Sequence, residues 1–205
     1  SKRVKKSNSW KIKQHRDQFF KKSKTLGYRS RSAFKLIELN KKYKFIKKNT
    51  KLLDIGGYPG GWAQVASKII KSGKILSIDI KKMDHLKNVS FLQCDFLEES
   101  SKEKILSFFD DKLDVVISDM AANTSGNKSL DSIRTNQLCA EVVEFSSKIL
   151  KPNGVLVSKL FMGDDFLEVK ELAKSRFKKV EFFKPEASRN ESRETYLHCV
   201  TLRTL

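Results

Sequence analysis

A chain of 205 residues with 39% hydrophobic content builds one full-sized core, so a single domain with a short extension is expected. Three scattered cysteines (Cys94, Cys139, Cys199) and three scattered histidines argue against a disulfide framework or a zinc site; no metal is expected, and a reducing intracellular compartment suits the pattern. The net charge of +18 sits almost entirely at the start: residues 1–51 hold 19 Lys and Arg against Asp17 and Glu38, while the rest balances to +1.

That asymmetry reads as a nearly neutral body carrying a basic extension over residues 1–30, ahead of a domain over 31–205. Clustered Lys and Arg displace counterions from nucleic-acid phosphates, so a polyanionic partner is the expectation. Trp10, Phe19, Phe20, Tyr28 and Phe34 are interleaved with the charges, which argues that the arm folds against something. No apolar run approaches membrane-spanning length and no signal-peptide pattern opens the chain, so no membrane association is expected. The first residue is Ser1, which leaves an earlier targeting segment, and with it a mitochondrial or nucleolar rather than cytoplasmic destination, open.

In chain order, Ser32–Tyr43 reads as a helix and Lys51–Gly56 as a buried strand. Gly61–Lys71 is helical and ends near Gly73; Lys74–Asp79 and Ser90–Asp95 are strands. Lys102–Phe109 is a helix and Asp114–Asp119 a continuous buried strand. Asp131–Leu150 is a long helix closed by the stop and turn Lys151-Pro152-Asn153-Gly154. Gly154–Phe161 (strand), Asp164–Ser175 (helix), and the strands Lys179–Phe183 and Thr195–Thr201 complete the chain. Continuous apolar strands alternating with helices specify an α/β domain with a mostly parallel sheet covered on both faces.

The segment Asp54-Ile-Gly-Gly-Tyr-Pro-Gly-Gly-Trp62 stops a strand at a glycine-rich turn and opens a helix, a layout that brings backbone close to a nucleoside-bearing ligand. Four glycines in six positions exceed what packing alone is expected to require. The spacing is not G-x-G-x-x-G, which disfavours a nicotinamide dehydrogenase, and no Gly-Lys-Ser/Thr follows, which excludes a P-loop. Four successive strands end in Asp54, Asp79, Asp95 and Asp119, at the carboxyl edge where open α/β sheets bind ligands. Ribose and base acceptors without a diphosphate cradle suit S-adenosylmethionine, whose sulfonium the acids would stabilise.

The same residues resemble the FtsJ-type RNA 2′-O-ribose methyltransferases. The likeness rests on five ordered segments: Tyr28–Leu36, Asp54–Trp62, Ser118–Gly126, Val157–Phe161 and Ser188–Tyr196. It runs from about Trp10 onward and is nearest to the compact ribosomal large-subunit subgroup, which modifies a uridine of the peptidyl-transferase A-loop. The resemblance implies a Rossmann-like methyltransferase fold with a mostly parallel seven-stranded sheet, S-adenosylmethionine as cofactor, and ribosomal RNA or the large subunit as partner of a monomeric enzyme. It implies a Lys-Asp-Lys-Glu tetrad at Lys35, Asp119, Lys159 and Glu194, all four identities retained. Cofactor contacts carry over to Gly56, Gly60, Gly61, Trp62, Asp79 (ribose), Asp95 (adenine) and Asp119. Two departures are Gly57-Tyr58, where many members have small residues, and Ala122 in place of a proline; Tyr58 either narrows the cofactor mouth or packs on the sheet, and packing is the expectation because the cofactor-binding glycines remain. For Trp62, packing and ligand contact are compatible.

Methyl transfer to a ribose hydroxyl is an in-line displacement that needs alignment and removal of the hydroxyl proton. Lys159, at the end of the fifth strand, is the candidate base. Burial and Lys35 would lower its pKa while Asp119 and Glu194 would raise it; if it stays charged, it orients the hydroxyl and stabilises the developing alkoxide instead. The rival targets are tRNA anticodon-loop riboses and messenger-RNA caps; from another class, a catalytically silent RNA-binding module is opposed by the intact tetrad.

Overall fold

A computed structural model describes residues 18–204. The charged and aromatic positions 1–17, Trp10 among them, lie outside the described residues. A helical stretch over 18–25 (α1) precedes α2 (Ala33–Tyr43), β1 (Lys51–Ile55), α3 (Gly61–Ile69), β2 (Lys74–Asp79) and β3 (Ser90–Gln93). Then come α4 (Glu99–Phe109), β4 (Leu113–Ser118), α5 (Lys128–Ile149), β5 (Leu150–Phe161), α6 (Phe166–Arg176), β6 (Phe177–Phe183) and β7 (Glu194–Leu202). The sheet has seven strands in the order β3-β2-β1-β4-β5-β7-β6. All neighbours are parallel except β7, which runs antiparallel to both β5 and β6. This is the mostly parallel α/β sheet expected of the sequence.

Alternation along the strands makes two cores. Leu53, Ile55, Leu76, Val116 and Leu156 face α4, α5 and α6. Leu52, Ile75, Val115, Val157 and Tyr196 face α2 and α3. Both faces are dry, which is why the strands read as unbroken apolar runs. Among the described residues no helix is long and apolar enough to cross a membrane.

Several boundaries differ from expectation for local reasons. Helix α5 starts three residues before Asp131, because the Asn127 side chain accepts the Leu130 N–H and caps it. Strand β5 already begins at Leu150: Leu113 pairs with Leu150 and Val115 with Val155, so Lys151–Gly154 is an irregularity at the strand's start and not a turn ahead of it. Strand β3 stops at Gln93, two residues short of Asp95.

Residues 18–30 are packed onto the domain. Phe19 and Tyr28 each meet the Phe34 ring at 5.6 Å, and the Lys68 amine lies 4.2 Å from the Tyr28 ring centre. Gln64 accepts the Arg29 N–H at 2.7 Å and donates to the Gly27 carbonyl at 3.0 Å.

Candidate active site

Parallel strands β1, β2 and β4 end on one edge of the sheet, and the turns leaving them form the site. After β1, the N–H groups of Gly56 and Gly57 both donate to the Ile78 carbonyl (2.9 and 3.0 Å), tying the glycine turn to the end of β2. Gly56 and Gly60 have φ of 73° and 121°, conformations that favour glycine. Packing explains more of the remaining glycines than the sequence suggests. A Cβ on Gly57 would fall 1.9 Å from Ser77 Oγ, and one on Gly61 2.3 Å from Ser30 Oγ. The Tyr58–Pro59 peptide is cis.

The four strand-end acids divide into distinct roles. Asp54 is not at the edge: it lies inside β1, 1% exposed, with Ser77 Oγ donating to it at 3.0 Å. Burial above all, together with the charges of Asp119 and Asp79, pushes its pKa up to about 7 against the opposing Ser77 hydrogen bond. Asp79 accepts the N–H of Tyr58 at 2.9 Å and that of Lys81 at 2.8 Å, one on each oxygen, and so braces the turn. Asp95 accepts the Leu97 N–H at 3.0 Å in the turn before α4. Tyr58 does not pack on the sheet as expected. It is 48% exposed, because the turn lifts it off the edge, and the Lys81 amine lies 5.3 Å from its ring centre. Trp62 is buried and donates from Nε1 to the Ser32 carbonyl at 2.9 Å.

Lys35, Asp119, Lys159 and Glu194 come from α2, the residue just past β4, β5 and the start of β7, and they meet. Lys35 on α2 reaches Glu194 Oε1 at 2.7 Å. Lys159 near the end of β5 lies 3.3 Å from both Asp119 Oδ1 and the Asp119 carbonyl. Between the two pairs stands the buried hydroxyl of Tyr196, bonded to Asp119 and, at 2.7 Å, to Glu194. Its single proton serves one carboxylate at a time. Each carboxylate thus has a lysine on one side and shares the neutral Tyr196 hydroxyl with the other carboxylate.

Electrostatics follow from that arrangement. Burial disfavours charge on Glu194, but Lys159 and Lys35, with hydrogen bonds from Lys35 and Tyr196, outweigh it and bring its pKa down to about 2. For Lys159, burial pulls downward while Asp119 and Glu194 pull upward, and the carboxylates win: its pKa is raised. In this arrangement Lys159 is an ammonium, the balance the sequence left open. Burial, then the two carboxylates, raises the Tyr196 hydroxyl well above its ordinary value.

Three residues absent from the sequence-based site hold it in place. Tyr196 is the link just described; its signal was the run ending in Tyr196, of which only Glu194 had been given a role. Asn136 of α5, fully buried, accepts the Phe161 N–H (2.8 Å) and donates to the Phe161 carbonyl (2.9 Å) and Asp165 (2.8 Å), fixing the end of β5 two residues beyond Lys159. A buried Asn inside a long helix was its signal. Glu38, on α2 with Lys35, accepts the N–H groups of Glu186 and Ala187 at 2.9 and 3.1 Å, holding the β6–β7 loop against that helix. Its signal was an acid amid a basic stretch.

Comparison with known proteins gives the family of the chain. The profile of the FtsJ-like methyltransferase family matches residues 28–202. The chain is 44% identical over 197 residues to the ribosomal RNA large subunit methyltransferase E of Pelagibacter ubique (strain HTCC1062), covering 96% of this chain and 97% of that one. It is 45% identical over 202 residues to the protein of the same name from Rickettsia akari (strain Hartford), covering 96% and 89%. Among solved structures, a Plasmodium falciparum protein described as a ribosomal RNA methyltransferase superposes with a TM-score of 0.75 at 34% identity, over 85% of this chain and 98% of that one. Human methyltransferase-like protein 13, solved in complex with SAH, shares the fold at 15% identity and a TM-score of 0.56, over 78% of this chain and 75% of that one.

Proposed function

Because the chain belongs to the FtsJ-like methyltransferase family, we propose that Lys35, Asp119, Lys159 and Glu194 form its catalytic centre, acting on a ribose 2′-hydroxyl of large-subunit ribosomal RNA. The protein is an S-adenosylmethionine-dependent RNA methyltransferase with a Rossmann-like domain. The observation that carries the reading is the convergence of two lysine–carboxylate pairs from four segments at the edge where the glycine turn opens. A solvated charge needs no such convergence, and burying one lysine without partners is costly.

The residues present fit the cofactor. Asp79 accepts two backbone N–H groups and Asp95 one, and both keep lone pairs that would take ribose and adenine donors, while the Asp119 carboxylate would offset the positive charge of the cofactor. Gly56, Gly60, Gly61 and Trp62 shape the turn beside them. Bound S-adenosylmethionine supplies an electrophilic methyl group. Lys159 donates to the ribose 2′-oxygen and stabilises charge developing there, its ammonium held by Asp119. Lys159 and Lys35 keep Glu194 ionised, and the single Tyr196 proton is shared between Glu194 and Asp119, serving one at a time. The hydroxyl proton passes to Asp119 Oδ2, for which the described residues supply no donor, as the oxygen attacks, so that the oxygen is alkoxide-like where Lys159 donates to it. The enzyme works where ribosomal RNA is found, inside the cell.

Lys159→Ala is expected to abolish methylation of unmodified large ribosomal subunits while leaving S-adenosylmethionine affinity within about twofold. Wild-type turnover by that variant would refute the assignment. Single-turnover rates against pH separate the two roles of Lys159. A charged lysine with a raised pKa predicts a flat profile from pH 7 to 9. A neutral lysine base predicts a rate climbing about tenfold per unit below its pKa.

A further inference from the structure

Among the described residues, the basic side chains between positions 18 and 51 do not form one surface. Arg29, Arg31 and Lys35 stand at the catalytic edge, where Arg29 donates to the Pro59 carbonyl and Lys35 meets Glu194. Lys44, Lys47 and Lys48 lie in the loop that enters β1, so they belong to the opposite edge, where the parallel strands begin. Strand β1 spans five residues, which sets the two edges roughly 15–20 Å apart at about 3.3 Å per residue with the flanking turns.

At that far edge a second loop adds to the cluster. The Lys48 carbonyl accepts the N–H groups of Lys71 and Ser72 at 2.7 and 2.9 Å, and the Thr50 carbonyl accepts that of Lys74 at 3.2 Å. Gly73 lies so close beneath Thr50 that a Cβ would fall 1.9 Å from its carbonyl oxygen. The two loops are therefore fastened together, and the exposed side chains of Lys44, Lys47, Lys48 and Lys71 rise from a fixed base. Acids at this edge are engaged elsewhere. Asp114 takes the Lys51 N–H (2.8 Å) and the Lys151 amine (3.0 Å), and Asp110 lies 3.7 Å from the Lys74 amine. Among the described residues, none of the four exposed lysines has a carboxylate within ion-pair distance.

Elsewhere the surface interleaves its charges, as with Lys102 and Glu99 on α4 or Lys174 and Glu171 on α6. Four ammonium groups with no carboxylate partner among the described residues rise from two fastened loops, and like charges gathered there repel one another. A polyanion relieves that repulsion and releases counterions in doing so.

We propose that this edge, built on Lys44, Lys47, Lys48 and Lys71, is a second RNA-binding surface. It grips the phosphate backbone of a ribosomal RNA segment other than the one whose ribose enters the catalytic edge. The proposal rests on the functional reading above and deepens it. A substrate bound at both edges must present two backbone segments across the height of the sheet, which a folded ribosomal RNA does and a short hairpin does not.

The test is the triple variant Lys47→Glu, Lys48→Glu, Lys71→Glu, beside a control of equal charge change, Lys104→Glu, Lys170→Glu, Lys174→Glu. Affinity is measured against salt concentration for unmodified large subunits and for protein-free large-subunit ribosomal RNA. The far-edge variant should bind both at least tenfold more weakly at moderate salt, with the slope of log affinity against log salt shallower by about two to three. Its S-adenosylmethionine affinity should equal that of the wild type, and the control should stay within about threefold. Unchanged RNA affinity, or an equal loss in the control, overturns the proposal. So does weakened binding to subunits alone, which would assign the edge to a ribosomal protein. Wild-type protein that neither binds nor methylates either RNA sinks the functional reading as well. Wild type that methylates normally beside an unaffected triple variant sinks only the second surface.

Discussion

At Arg29 one guanidinium answers three carbonyl oxygens from two loops: Pro59 at 3.2 Å, Asp84 at 2.8 Å and His85 at 2.8 Å. The first belongs to the glycine turn and the others to the loop between β2 and β3, so the arginine sets the gap between segments that flank Asp79. Gly60 is packed against it, since a Cβ there would lie 2.9 Å from Arg29 Nη1. Hydrogen bonds from a charged donor contribute about 1.5–3 kcal/mol each when they replace water contacts fully, and less where exposed. Arg29→Ala is expected to weaken S-adenosylmethionine binding by about tenfold or more, seen in titration calorimetry. Turnover at saturating cofactor should fall much less, because the tetrad is untouched. An unchanged cofactor affinity would show that the loops hold their spacing without it.

At the scale of elements, β1 and β7 carry buried titrations of opposite sign. His198 of β7 stacks on Tyr43 at 3.7 Å and faces Phe45, Glu181 and Lys179. Burial first, with Lys179, pulls its pKa down to about 4 against the opposing Glu181. The folded protein then binds fewer protons than the unfolded chain between about pH 4 and 6.5, so this contribution is complete above pH 6.5 and is lost as the pH falls to 4. The shift corresponds to an upper value of about 3 kcal/mol. Asp54 of β1 behaves inversely. With its pKa pushed up to about 7, its contribution is greatest below pH 4 and is lost as the pH rises through 7. Denaturant melts should show that His198→Phe reduces the stability lost between pH 7 and 4.5. Asp54→Asn should gain stability relative to wild type at pH 8 and lose that advantage at pH 4. A wild-type pH dependence in either variant would remove that residue from the account.

Elements also show what was legible in the sequence. Strand identity and sheet class were, because β1, β2, β4 and β5 are covered on both faces and so read as unbroken apolar runs. The tetrad was legible because its residues sit in ordered motifs. Depth was not: Asp54 and Asp79 both look like strand-end acids, yet only the sheet register buries one beside Ser77 and leaves the other bracing the turn. Tyr58 departs from expectation because an aromatic beside a strand ordinarily packs, whereas here the turn lifts it away. The start of β5 escaped notice because Pro152 and Gly154 signal a turn, while pairing of Leu150 with Leu113 keeps the strand running past them. No local pattern reveals that Tyr196 will stand between two carboxylates from different strands.

Over the whole molecule, the described part of one basic stretch goes to two opposite edges of the sheet, and deletions separate their roles from that of residues 1–17. Residues 1–17 hold seven Lys and Arg against Asp17, a balance of +6. Arg29 braces the cofactor turn, and Lys44, Lys47 and Lys48 stand at the far edge. Removing residues 1–17 takes away a net charge of +6 and leaves every contact to the turn among the described residues in place, so RNA binding should weaken and its salt slope flatten while cofactor affinity stays at the wild-type value. Removing residues 1–31 also takes Arg29, the Phe19 and Tyr28 contacts to Phe34, and the Arg31 hydrogen bond to the Ala187 carbonyl. That longer deletion should lose cofactor affinity as well, by at least the Arg29→Ala amount. Parallel titrations of S-adenosylmethionine and of large-subunit RNA across salt concentrations read both effects. If the shorter deletion already costs cofactor affinity, the charge of the extension and the architecture of the turn are not separable. If neither deletion alters the salt slope, the phosphate contacts reside wholly on the body of the domain.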